Sequence, residues 1–125
     1  MTAPLPPIEL LVCTRCLAGQ DAAEDAERPG ARLFARLADG APEGVAVTPV
    51  ECLSNCAHGC TIALRGRGRW TYVYGRIDAG ADLAPIREGI ARYRDTRDGL
   101  VPWRERPDHF RRNCIARIPP LEAVP

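Results

Sequence analysis

Lysine is absent from this chain: each of the 17 basic residues is an arginine, set against 16 acidic residues for a formal net charge of +1. So balanced a composition carries no global basic field of the kind that gathers nucleic acid. Long apolar runs are missing as well, and the opening Met1-Thr2-Ala3-Pro4-Leu5-Pro6-Pro7 has neither the positive n-region of a signal peptide nor the length of a membrane anchor. The expectation is a cytoplasmic protein with no membrane partner. No internal repeat or low-complexity tract appears. At 125 residues, with 46% of them apolar, the chain is expected to form one domain with a real core.

Cysteine is what the sequence does have. Of the 6 cysteines, all but Cys114 fall into two tight clusters, Cys13-Thr14-Arg15-Cys16 and Cys52-Leu53-Ser54-Asn55-Cys56-Ala57-His58-Gly59-Cys60. Gaps of two and three residues let neighbouring thiolates point at one ion or cluster, and only a fold can bring the two groups together. In a reducing compartment such cysteines read as metal ligands or redox-active thiols before structural disulfides, although an even count leaves disulfides open.

The chain reads as strand, helix, strand, hairpin, helix. Ile8 to Val12 is a short apolar run suited to a buried strand, and it delivers Cys13 at its C-terminal end. A polar, acidic stretch follows from Gly19 to Arg28. Pro29 then opens a helix with Leu33, Phe34 and Leu37 at helical spacing, stopped by Gly40. Val45 to Glu51 is a second strand, which Pro49 assigns to an edge or a bulge, and it too ends on a cysteine. Thr61–Leu64 and Arg69–Tyr74 form a hairpin around Arg65-Gly66-Arg67-Gly68. A second helix opens at Asp82, places Leu83, Ile86, Ile90 and Tyr93 on one face and is expected to end near Asp98-Gly99. Residues 1–99 thus form an α/β domain, and residues 100–125 an irregular tail rich in Pro and Arg that packs on it. Its Trp103, Phe110 and Ile115 are too apolar for full disorder.

This order explains how the cysteines meet. A strand-helix-strand unit pairs its strands in parallel, so both C-terminal ends face one way and Cys13 and Cys52 emerge side by side. Loops at that edge of a sheet are the usual ligand site. A single centre containing Cys13, Cys16, Cys52 and Cys56 is the economical prediction.

Cys52-Leu53-x-x-Cys56-x-x-Gly59, the apolar strand after it, the glycine turn and Gly68-x-Trp70-x-Tyr72 together resemble the thioredoxin-like 2Fe-2S ferredoxins, a module also found in a small subunit of respiratory complex I. The resemblance implies a thioredoxin-like fold and a 2Fe-2S cluster on Cys13, Cys16, Cys52 and Cys56. It further implies one-electron transfer with a redox partner protein, and no substrate chemistry. More narrowly, Cys13-Thr14-x-Cys16, Glu51 to Gly59, Trp70 to Gly75 and Asp98 to Arg104 resemble a bacterial family described as predicted metal-binding proteins. Members of that family are often encoded beside cobalamin-synthesis or cobalt-handling genes, which implies a role in metal metabolism.

Departures from the ferredoxin pattern keep alternatives open. The gap between Cys13 and Cys16 is tighter than those ferredoxins show, and Cys60 stands where many relatives have Pro. Cys60 is therefore an alternative ligand, or else a buried thiol behaving as a small hydrophobe. Four thiolates also suit zinc, with a metallochaperone role, although zinc ribbons repeat Cys-x2-Cys in both knuckles over a shorter gap. His58 reads as a neighbour of the centre or a solvent-facing residue, since a Rieske-type site needs two histidines and His109 lies in the tail without a matching motif. A thiol-disulfide oxidoreductase is the rival from another class. It would use Cys13-x2-Cys16 after a strand, yet the cis-Pro that such catalysts carry before strand three is replaced by Cys60, and the pair lacks the usual Trp before it and Gly-Pro within it.

On the surface, Asp21, Glu24, Asp25 and Glu27 form an acidic run, and Arg65, Arg67 and Arg69 alternate around the hairpin turn. Either set could steer a partner, or simply be a solvated face. Gly19 and Gly59 are candidates for close backbone approach to sulfur, or ordinary turn glycines. Trp70, Tyr72 and Tyr74 share a strand face that belongs to the core or to a homodimer interface. Cys114 has no partner spacing and reads as a lone thiol.

Overall fold

The computed structural model describes residues 5–15, 28–55, 58–78 and 80–121. Ile8–Cys13 forms β1, Pro29–Ala38 α1, Val45–Val50 β2, Ile62–Gly66 β3, Thr71–Tyr74 β4 and Leu83–Arg94 α2. A 3-10 turn at Trp103–Glu105, a short helix α3 at Asp108–Arg112 and a strand β5 at Cys114–Ile118 follow. The strands make one 5-stranded mixed sheet in the order β2-β1-β3-β4-β5. β1 and β2 are parallel, and the other pairs are antiparallel.

β1 is central and nearly unbroken in its apolar character, so both of its faces are covered. Its alternate residues Ile8, Leu10 and Val12 share one sheet face and join a single buried cluster with Leu33 and Leu37 of α1, Ile86, Ile90 and Tyr93 of α2, and Phe110 of α3. Across the sheet the register sets Leu10 between Val47 and Leu64, with Tyr72 opposite Leu64. Each such aliphatic side chain, fully withdrawn from water, contributes roughly 1.5–3 kcal/mol. β2 lies at the sheet edge, where Pro49 is tolerated because no second neighbour asks for its missing N–H.

The helices start and stop for local reasons. Pro29 sits in the first turn of α1, where its missing donor costs nothing, and Gly40 leaves the helix at φ +70. Arg87 of α2 donates to the carbonyls of Arg36 and Asp39 at 2.8 and 3.2 Å, tying the end of α1 to α2. α2 stops at Arg94, short of the Asp98-Gly99 end expected from the sequence. The Thr96 hydroxyl takes the Tyr93 carbonyl at 2.6 Å and receives the Gly99 N–H at 2.9 Å, so a turn replaces the helix. Gly99 completes that turn at φ +82.

Arg69 corrects a second expectation. It is not a surface member of an arginine series but 1% exposed, among the most buried side chains of the protein. Its guanidinium donates to the carbonyls of Thr96, Pro6 and Arg94 at 2.9, 3.0 and 3.1 Å. Two of those carbonyls lie at the C-terminal end of α2, where a cation is favoured by the helix dipole and by orphaned acceptors.

The segment after Leu100 is more regular than its composition suggests. α3 lays the Phe110 ring flat on Tyr74 with centroids 3.8 Å apart, and β5 adds the fifth strand beside β4. Tyr72 and Tyr74 are both buried in the protein's own core. Trp70 is half-buried, and its carbonyl accepts from the Tyr93 hydroxyl at 2.7 Å.

Candidate metal centre

The parallel pairing of β1 and β2 sets Cys13 opposite Val50, so the chain leaves both strands at the same edge of the sheet. Cys13 is the last residue of β1 and is buried. Its N–H donates to the Thr61 carbonyl at 3.1 Å, and its Sγ lies 3.5 Å from the Glu51 carbonyl. Thr14 fastens the two strand ends together, with both its N–H and its hydroxyl on the Val50 carbonyl at 2.8 and 3.1 Å. Cys52, just beyond β2, is exposed, and its Sγ accepts the Ser54 N–H at 3.2 Å. Ser54 holds that N–H in place from a left-handed backbone at φ +59.

Asn55 closes the loop that follows. Its Nδ2 donates to the His58 carbonyl at 3.3 Å and to the Thr61 hydroxyl at 3.1 Å, while its own carbonyl accepts from the His58 N–H at 2.9 Å. Gly75 lies against this knot: a Cβ there would sit 2.6 Å from Asn55 Nδ2 and 2.9 Å from the His58 carbonyl. The His58 carbonyl also accepts from the Arg76 N–H at 2.6 Å, and the residue as a whole is exposed. Cys60 is 1% exposed, belongs to the buried cluster and exchanges backbone hydrogen bonds with Ile77 at 3.1 and 3.3 Å. The Gly59–Cys60 peptide is cis.

Of the four cysteines assigned to one centre, the structure therefore places Cys13 and Cys52 at neighbouring strand ends. Cys16 and Cys56 lie outside the described residues, as do Gly19 and the acidic run Asp21, Glu24, Asp25 and Glu27. Among the described residues no three His, Cys, Asp or Glu side chains are grouped so as to hold a metal ion. The donor chemistry that is described fits a soft metal or an iron-sulfur cluster: two cysteine sulfurs at one sheet edge, one of them already accepting a backbone N–H. Cys114 of β5 stands opposite Tyr74 of β4, and partial desolvation pushes its thiol above the ordinary range although the residue is exposed. His109, remote in sequence from the clusters, is tucked against Asp82 at 3.7 Å and the Arg76 carbonyl at 3.2 Å.

Sequence reasoning missed the contributions of Ser54, Asn55 and Gly75. Their roles are carried by backbone conformation and by one side-chain amide, and no residue pattern announces them.

No curated protein matches the sequence. Solved structures share its architecture. A thioredoxin-like 2Fe-2S ferredoxin from Aquifex aeolicus superposes with a TM-score of 0.56 at 18% identity, over 94% of this chain and 98% of its own. A wild type thioredoxin-like 2Fe-2S ferredoxin from the same organism gives 0.55 at 14% identity, over 89% and 98%. The fold is therefore thioredoxin-like. Residues 10–120, from the third residue of β1 to the proline pair after β5, match one family model, and the chain belongs to the family described as Protein of unknown function (DUF1636).

Proposed function

We propose that this protein is a ferredoxin-like one-electron carrier built around a 2Fe-2S cluster. The observation that carries the reading is the placement of Cys13 and Cys52 at adjoining ends of parallel β1 and β2, with the Ser54 N–H already directed at Cys52 Sγ. The likeness in fold to proteins named as 2Fe-2S ferredoxins supports it. Cys13, Cys16, Cys52 and Cys56 would be the ligands, and a bound cluster would supply reversible one-electron transfer. The chain's own part is to hold the sulfurs, limit water and donate N–H groups. A donor to thiolate sulfur stabilises the more negative reduced form, which raises the potential. Cys60, set in the hydrophobic core, acts in this reading as packing. A redox partner protein is part of the same proposal. No helix among the described residues is long and apolar enough to cross a membrane.

Anaerobic purification, a visible spectrum and assays of iron, acid-labile sulfide and zinc test the proposal together. Stoichiometric iron and sulfide with a coloured protein are expected, with colour lost in Cys13→Ser and Cys52→Ser and kept in Cys114→Ser. A colourless chain carrying one zinc, or no metal, would sink it. If zinc is what it carries, the same thiolates would be a zinc site.

A further inference from the structure

At the end of β1 away from Cys13, an open cleft of about 630 Å³ lies between β1, the β3–β4 turn and the chain leaving β5. Ile8 begins β1 at this cleft, so its floor is roughly 17 Å from Cys13 along the strand at about 3.3 Å per residue. Its size falls within the range of roughly 300–1,000 Å³ usual for small-molecule sites.

The charges lining the cleft are unequal. The lining includes Arg65, Arg67 and Arg69 but a single carboxylate, Glu9. Glu9 is committed already: it accepts from Arg65 Nε at 2.6 Å and from the Thr48 hydroxyl at 3.0 Å. Arg69 is buried with carbonyls as its hydrogen-bond partners and the Tyr93 ring 6.0 Å from its guanidinium, so no carboxylate cancels its charge, and the dipole end of α2 offsets only part of it. Arg67 stands exposed at the turn with no hydrogen bond or ion pair among the described residues. The turn that presents it is fixed: Arg69 N–H bonds the Gly66 carbonyl at 3.0 Å, and Gly68 at φ +73 supplies the conformation that a type II turn requires at its third residue. With Glu9 set against Arg65, a formal positive charge between one and two remains.

A phosphate monoester carries about −1.5 to −2 at neutral pH and presents oxygens that a guanidinium can grip in pairs. A lone carboxylate would leave part of the charge unmatched. Pro7, Pro119 and Leu121 add an apolar wall beside the arginines, suited to the body of an organic molecule. We propose that this cleft binds a small phosphorylated molecule, with Arg67 as the guanidinium that engages the phosphate.

The full chain, labelled with 15N at near-physiological salt, is titrated with AMP, with inorganic phosphate and, at matched ionic strength, with acetate. Saturable amide shifts confined to residues 65–71 and their neighbours are expected for AMP, with a Kd at or below about 1 mM and weaker binding of inorganic phosphate. Arg67→Glu, an exposed turn substitution, should weaken AMP by about tenfold or more while leaving the dispersed spectrum and the thermal midpoint unchanged. Three results would overturn the proposal: no saturable shift with AMP, undiminished affinity in Arg67→Glu, or acetate binding the same residues as tightly. The site lies apart from the cysteines, so failure here leaves the iron-sulfur reading untouched, and the reverse also holds.

Discussion

Ser54 donates its backbone N–H to Cys52 Sγ across 3.2 Å while sitting at φ +59. A left-handed backbone costs an ordinary residue roughly 1–2 kcal/mol and a β-branched one more, while glycine adopts it freely. Ser54→Gly should therefore keep the loop and leave the thermal midpoint equal or higher. Ser54→Val should lower stability by about 1 kcal/mol or more and speed loss of any bound cluster under chelator. Thermal melts beside the decay of visible absorption compare the two. Equal behaviour of the two variants would mean that the conformation does not hold the sulfur.

Replacing Arg69 tests the buried cap on α2. Arg69→Met keeps much of the volume but strips donors from three carbonyls, those of Thr96, Pro6 and Arg94. The expected loss is about 3 kcal/mol in urea unfolding, a large share of a total stability of roughly 5–15 kcal/mol. Arg69→Lys should recover only part, because an ammonium cannot span three acceptors from one plane.

Alanine usually stabilises a helix relative to glycine, by roughly 0.5–1 kcal/mol, yet Gly89 should show the opposite sign. A Cβ at Gly89 would run into the Phe110 ring, which cannot retreat because it lies 3.8 Å from the Tyr74 ring on its other side. Gly89→Ala should cost about 1–3 kcal/mol, and the double variant Gly89→Ala, Phe110→Leu should regain part of that loss.

The acid side of the stability curve should carry a contribution from Glu9. Its hydrogen bond from Arg65 holds the carboxyl below the ordinary value of 4.5. A depressed carboxyl stabilises the fold at pH above the unfolded value, and that stabilisation is lost as pH falls through the folded value. Arg65→Ala should raise the Glu9 titration midpoint measured by NMR. The stability gap between the two proteins should close as pH falls from the ordinary carboxylate value through the lowered one. A gap that persists at the acid end would place the effect of Arg65 elsewhere.

How far the sequence could be read depended on where the determining contact lay. β1, β2, the hairpin and the opening of α1 were legible because apolar runs, Pro29, Gly40 and the glycine turn act locally. That β1 and the strand leading to Cys52 end at one sheet edge followed from strand order alone. Arg69 was not legible, since Arg65, Arg67 and Arg69 look alike until α2 supplies carbonyls from residues distant in sequence. The end of α2 was hidden for a similar reason, because it rests on one Thr96 hydroxyl. β5 was hidden by composition: its residues are exposed throughout, so no alternation of buried and exposed positions marked it as a strand.

β5 also bears on how the chain folds as it is made. It pairs with β4 across a span that includes α2 and α3, so every other strand is synthesised before β4 receives its outer neighbour. Until then the flank of Tyr72 and Tyr74 is an open template for the wrong strand, and Phe110 has not arrived to cover Tyr74. The β4–β5 pairing is thus the last of the sheet that synthesis makes available.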